Sequence, residues 1–133
     1  MQGTVAEIWR YPVKSMAGER LDSCFVAETG LDGDRRWALV DGTPNRAGKP
    51  LTVREAEVLL TYRARLAGDG ALVVTPGGDS RRLDDRLVAD LAAETSRPLT
   101  LREGAGLNHD DSPVLVVNLA TVAAFELSAG VEV

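Results

Sequence analysis

Apolar and polar positions alternate in short bursts along this chain, and turn residues break them up at close spacing. Thr4–Tyr11 is a mostly apolar run with imperfect alternation and is predicted as a first strand. Pro12 ends it, because proline lacks the backbone donor and fixes its own φ. A second strand is predicted from Glu19-Arg20 to Ala27, with Leu21, Ser23, Phe25 and Ala27 on one face and Asp22, Cys24 and Val26 on the other. Glu28 to Gly33 is turn-like, with two glycines. Asp34–Asp41 is a third strand, with Arg35, Trp37 and Leu39 opposite Arg36, Ala38 and Val40. The short, turn-rich linkers predict that these three strands pair as neighbours.

Asp41-Gly42-Thr43-Pro44-Asn45 is a strong turn, and the polar loop to Pro50 carries Arg46 and Lys49. Leu51–Arg54 reads as extended and Glu55–Leu60 as one or two helical turns. Thr61–Ala67 and Ala71–Thr75 read as a hairpin closed by Gly68-Asp69-Gly70. Asp84–Glu94 has a helical stripe of Leu83, Leu87 and Leu91. Leu99–Arg102 is strand-like, Gly104–Asp111 is a loop and Pro113–Val117 is apolar. Asn118 is placed to cap a last helix, Leu119–Ser128, which Gly130 should stop. The pattern predicts a mainly β (α+β) fold: a small β-barrel or strongly bent antiparallel sheet with one or two short helices.

The chain has 133 residues, 44% hydrophobic and 26% charged, which suits one domain, or one and a fragment, with a real core. A net charge of −5 argues against a general nucleic-acid binder. No apolar run approaches the about 20 residues of a membrane span. A single cysteine, Cys24, excludes an internal disulfide and a multi-cysteine metal site, and the default expectation is a cytoplasmic protein.

Candidate chemistry concentrates at strand ends. Lys14 and Ser15 follow Pro12 on a chain forced to turn, and a cation beside a hydroxyl there suits an anion. Taken alone, Lys14 reads as a solvated lysine. Arg35 holds the matching place at the start of the third strand. If the two ends lie together, a point charge and a planar fork can grip one anion. The plainer reading pairs Arg35 with a carboxylate such as Asp34 or Asp22. His109 is the lone histidine, and without a Gly-x-Ser-x-Gly elbow it makes a poor hydrolase triad. His109, Asp110 and Asp111 are adjacent and so make a weak metal site, which leaves a solvated polar loop at the edge of a site. Cys24 is read as a small core hydrophobe, and Trp9 and Trp37 as core. The paired glycines read as hairpin glycines, because no Lys-Ser/Thr follows them.

Val5-Ala6-Glu7-Ile8-Trp9-Arg10-Tyr11-Pro12-Val13-Lys14-Ser15-Met16, then Gly30-Leu31 and Gly33-Asp34-Arg35-Arg36-Trp37-Ala38-Leu39-Val40, resembles the N-terminal β-barrel region of MOSC proteins. That family includes molybdenum-cofactor sulfurase C-terminal regions and amidoxime-reducing components. Leu51-Thr52-Val53-Arg54-Glu55 resembles its next short motif. Asp111-Ser112-Pro113-Val114-Leu115-Val116-Val117-Asn118 resembles the opening of the MOSC domain proper. The resemblance implies a pyranopterin molybdenum cofactor contacted by Lys14, Ser15, Arg35 and Ser112, largely at its phosphate and pterin.

It also implies a division into a β-barrel-like domain, 1–103, and the beginning of a truncated MOSC domain, 104–133. The family's metal-ligating cysteine lies further along than Val133, so the chain alone is expected to be non-catalytic and to carry no stoichiometric molybdenum. Two functional readings follow. One is the cofactor-anchoring front of a molybdenum oxidoreductase or sulfur carrier. The other is a non-catalytic module binding an anion or a partner chain. After about Gly104 the chain is expected to expose apolar surface at Val114, Val116 and Val122–Phe125. The missing remainder of the domain, or a self-associating copy, would cover it.

Overall fold

The computed structural model describes residues 2–110 and 112–129. In these residues the fold is mainly β with two helices. It comprises β1 (Ile8–Arg10), β2 (Glu19–Leu21), β3 (Val26–Ala27), β4 (Gly30–Leu31), β5 (Trp37–Asp41) and β6 (Lys49–Pro50). A 3-10 helix (Glu57–Thr61) leads into β7 (Arg63–Ala67), β8 (Gly70–Val74) and β9 (Ser80–Arg82). Then come α1 (Asp85–Thr95), β10 (Leu99–Glu103) and α2 (Leu119–Ala129). The strands form four small antiparallel sheets, β1-β2, β3-β4, β10-β5-β6 and β7-β8-β9, with no closed barrel among the described residues.

The expected pairing of the first three strands occurs only between the first two. β1 pairs with β2, but the run from Arg20 to Ala27 breaks after Leu21, and its second part, β3, joins a separate hairpin with β4. Phe25, just before β3, and Val26 within it are exposed. Cys24 lies in the break, half-buried, rather than mid-strand in a core. Trp9, expected in the core, is 39% exposed on its short strand, whereas Trp37 is buried.

β5 instead sits between β10 and β6, in register with β10 from Trp37↔Glu103 to Asp41↔Leu99. As the middle strand it buries Trp37, Ala38, Leu39 and Asp41 together, so its two faces do not divide into inside and outside. Asp41 is satisfied there by the Thr43 N–H and hydroxyl, at 3.0 and 2.6 Å, and by Arg97 Nη1 at 2.7 Å.

The stretch Val13–Ala17 joins two sheets. Val13 bridges Trp37 of β5, and Ala17 bridges Arg63 of β7, both in parallel. Val13 and Met16 enter the core, beside Trp37, Leu39, Leu59, Ala64 and Val73. α1 adds Leu87, Val88 and Leu91, with Leu83 packed against the cluster, as the helical stripe predicts. Asp84 caps α1 by accepting the Leu87 N–H at 3.0 Å.

Asn118 caps α2 in the same way, its side-chain oxygen accepting the Ala120 N–H at 2.8 Å. The expected stop at Gly130 lies outside the described residues. Val114–Val117 has no regular secondary structure and is exposed, and Leu119, Phe125 and Leu127 of α2 are also exposed. Among the described residues no helix is long and apolar enough to cross a membrane.

Candidate anion site

Two turns build the site. In the first, the Met16 N–H donates to the Val13 carbonyl at 3.2 Å, and Ser15, at the third position, has φ 72°. A type II turn assigns that position to glycine, because it needs positive φ. In the second, the Asp34 N–H donates to the Leu31 carbonyl at 2.9 Å with Gly33 at the third position, φ 82°. Positive φ favours glycine there, and a Cβ would lie 2.4 Å from Leu66 Cδ1, so the Leu66 side chain would have to move. Arg35 follows immediately with φ 47°. Three non-glycine residues have positive φ among the described residues. One, Ser96, is the C-cap of α1, and the other two are Ser15 and Arg35. Strain of this kind gathers where a fold over-determines a functional geometry.

The turns are laced side by side. The Asp34 carboxylate is buried and accepts the Tyr11 N–H at 2.7 Å. The Arg35 N–H donates to the Tyr11 carbonyl at 2.7 Å, Trp37 N–H to Pro12 at 3.0 Å and Lys14 N–H to Trp37 at 2.9 Å. Pro12 thus ends β1 yet keeps a useful acceptor. The Arg35 guanidinium bonds the other oxygen of Asp34 through Nη1 at 2.6 Å and stacks on Tyr11, 4.7 Å from the ring centroid. Of the two carboxylates weighed from the sequence, Asp34 is the one that Arg35 pairs with.

Lys14 is not a solvated lysine. Its side chain is only 9% exposed, and Nζ donates to the Asn108 carbonyl at 3.0 Å and to Asp110 Oδ1 at 2.5 Å. An ammonium has three N–H donors, and these two acceptors take two of them. Lys14, Arg35 and Arg54 all act on the Asp110 carboxyl. The Lys14 hydrogen bond is the largest influence and holds it below the usual carboxylate range. One acidic side chain therefore feels three cations. Arg54 belongs to this group, although the sequence pattern marked only its motif and not the residue.

The loop Gly104–Asp110 closes the site. Asn108, 1% exposed, is its hub. Its Nδ2 donates to the carbonyls of Arg35, at 3.0 Å, and Arg36, at 3.4 Å, while Oδ1 accepts Arg102 Nε and Nη2 at 3.0 and 2.7 Å. No sequence signal distinguishes Asn108 from any other loop asparagine. His109 is held rather than solvated. Its Nε2 lies 2.9 Å from the Thr29 carbonyl, which can only accept, so Nε2 carries the hydrogen and Nδ1 faces Asp34 at 3.9 Å. Ser15 is half-buried in the Lys14 turn. Ser112 is exposed and, among the described residues, bonds neither Lys14 nor Arg35. The Lys14–Ser15 turn and Arg35 are thus laced together through the backbone of Tyr11, Pro12 and Trp37, and Lys14 and Arg35 both act on Asp110.

The MOSC N-terminal beta barrel domain family matches residues 2–118, most of the chain, so this chain belongs to that family. The match continues through the site loop and leaves α2 outside it. Comparison with curated proteins gives no match. The wider MOSC family is associated with a molybdenum cofactor. The donors present fit one end of such a group. Lys14 and Arg35 suit its phosphate, by point charge and planar fork. They do not fit its metal. Among the described residues no cluster of three or more His, Cys, Asp or Glu could hold an ion. The single thiol, Cys24, faces the carbonyls of Phe25, at 3.5 Å, and Asp32, at 3.9 Å.

Proposed function

We propose that this chain is the phosphate-anchoring front of a cytoplasmic MOSC-type molybdenum-cofactor protein, of oxidoreductase or sulfur-carrier type, and not itself catalytic. Lys14 supplies the buried point charge, Arg35 the fork, and Ser15 a hydroxyl donor. Ser112 would supply a second hydroxyl. The observation that carries this reading is the Asp110 carboxylate, seated 2.5 Å from Lys14 Nζ within the field of Arg35 and Arg54. The site already holds an anionic oxygen. Calorimetry with a phosphorylated pterin and its dephosphorylated counterpart tests the assignment. Only the phosphorylated compound should bind, and Lys14→Ala should abolish the heat. Arg35→Lys should weaken binding about tenfold, because the fork is lost. Equal binding of both pterins, or no effect of either variant, would return Lys14 and Arg35 to structural roles.

A second reading rests on a separate observation, the exposed apolar surface of Val114–Val117, Leu119, Phe125 and Leu127. Exposed large apolar side chains in this number point to an interaction face. It would receive either the remainder of a MOSC domain or a second copy of this chain. Light scattering separates the two: a concentration-dependent dimer abolished by Phe125→Ser identifies the copy, and a monomer at all concentrations removes it.

A further inference from the structure

We propose that Asp110 is a built-in competitor at the anion site, occupying on Lys14 the place that an incoming phosphate takes and swinging outward when the ligand binds. The inference rests on the reading of Lys14 and Arg35 as phosphate anchors, and it adds how access to them is controlled.

Two asymmetries support it. The first is burial. The Lys14 side chain is 9% exposed and the Asp110 side chain 83%. The ammonium is fixed by the fold, through the Asn108 carbonyl and the Trp37 and Val13 backbone around its turn. The carboxylate reaches it from the solvent side, so its removal uncovers a donor without opening the core. The second is bonding. Lys14 keeps a second acceptor, Asn108, when Asp110 leaves, and so is not stranded as an unpaired buried charge. Asp110, for its part, returns to water.

The charges set the direction. A phosphate on Lys14 beside an unmoved Asp110 would bring like charges into contact, which strongly opposes binding. Asp110 must therefore leave or exclude the ligand. The cost of clearing it appears as a reduced apparent affinity, by the fraction of molecules in which the site is open. The opposite possibility is that Asp110 positions Lys14 and helps binding. The two differ in sign.

The experiment is calorimetric titration of the full chain with inorganic phosphate, comparing the wild type, Asp110→Asn, Asp110→Ala and Lys14→Ala. The competitor account predicts that the dissociation constant falls about tenfold in both Asp110 variants. It also predicts that Lys14→Ala removes binding, alone and when combined with Asp110→Asn. Unchanged or weaker binding in the Asp110 variants, with Lys14→Ala still abolishing it, would overturn the competitor and leave the phosphate anchor intact. Phosphate binding that is absent in every variant, or indifferent to Lys14→Ala, would overturn both. Circular dichroism of the Asp110 variants should match wild type, since the side chain is exposed.

Discussion

Lys14 and Asn108 lie 94 residues apart in sequence, yet the lysine ammonium donates to the asparagine's backbone carbonyl at 3.0 Å. The asparagine side chain holds that carbonyl in place by bonding Arg35, Arg36 and Arg102 from within the protein. One buried amide thus sets the position of a cation contributed by the first turn of the fold.

Replacing that amide should loosen the site. Asn108→Ala removes the donor to two carbonyls and leaves the Arg102 guanidinium without its asparagine acceptor. Hydrogen bonds to charged groups are worth about 1.5–3 kcal/mol, so a loss of about 2 kcal/mol is expected in urea denaturation. Asn108→Asp should be no better, because its second oxygen would face the carbonyls of Arg35 and Arg36. Wild-type stability for either variant would show that the loop is held by other contacts.

Ser15→Gly should stabilise the chain. Ser15 holds φ 72°, where a Cβ is unfavourable by about 1–2 kcal/mol and glycine is not penalised. After the extra backbone entropy of glycine in the unfolded chain, a gain of about 1 kcal/mol remains. Phosphate binding should weaken in the same variant, since the hydroxyl is gone. A variant less stable than wild type would mean that the serine side chain contributes more than the strain costs.

Acid should act through Asp41. This buried carboxylate is held below its ordinary value, first by the Thr43 hydroxyl, then by the Thr43 N–H and Arg97, against burial. Its folded pKa lies below the unfolded value of 3.8. Its contribution is therefore present above that value and is lost as pH falls through the lower, folded one. Asp41→Asn should cost about 3 kcal/mol at neutral pH, because Arg97 loses its partner, and should flatten the acid limb of the stability curve. An acid limb of unchanged slope would assign the effect elsewhere.

Alkali should act through Tyr62. Burial, and then the hydrogen bond to Glu94, push its hydroxyl up to about 12 from 10.0. The neutral phenol is favoured by folding, so its contribution is intact below pH 10 and lost as pH rises through about 12. Tyrosinate absorbance should show this late ionisation in wild type and lose it in Tyr62→Phe. Glu94→Gln should bring it only part of the way back, since burial is the larger cause. Ionisation of Tyr62 at its ordinary value in the folded chain would contradict the buried pair.

Local signals made part of this structure legible in the sequence. Gly68-Asp69-Gly70 marks the β7–β8 hairpin, the Leu83, Leu87 and Leu91 spacing marks α1, and Asn118 marks the start of α2. Pro12 and the residues after it mark the Lys14 turn. Long-range choices were not legible. Nothing near Trp37–Asp41 indicates that Leu99–Glu103, far along the chain, will be its antiparallel neighbour. The alternation across Asp22–Ala27 suggests a continuous strand, but among the described residues Asp22–Phe25 has no strand partner, and Phe25 is exposed. Asn108 is a site residue only through folding, because an ordinary loop amide carries no sign of what will surround it, and Asp110 is legible in the sequence only as part of a polar loop.

The most direct test of the phosphate anchor is a crystal structure of this chain with a pterin phosphate. The account predicts a phosphate oxygen within hydrogen-bond distance of Lys14 Nζ, a second oxygen facing the Arg35 guanidinium, and Asp110 turned away from both. A ligand bound elsewhere, with the Lys14–Asp110 pair still closed, would contradict it.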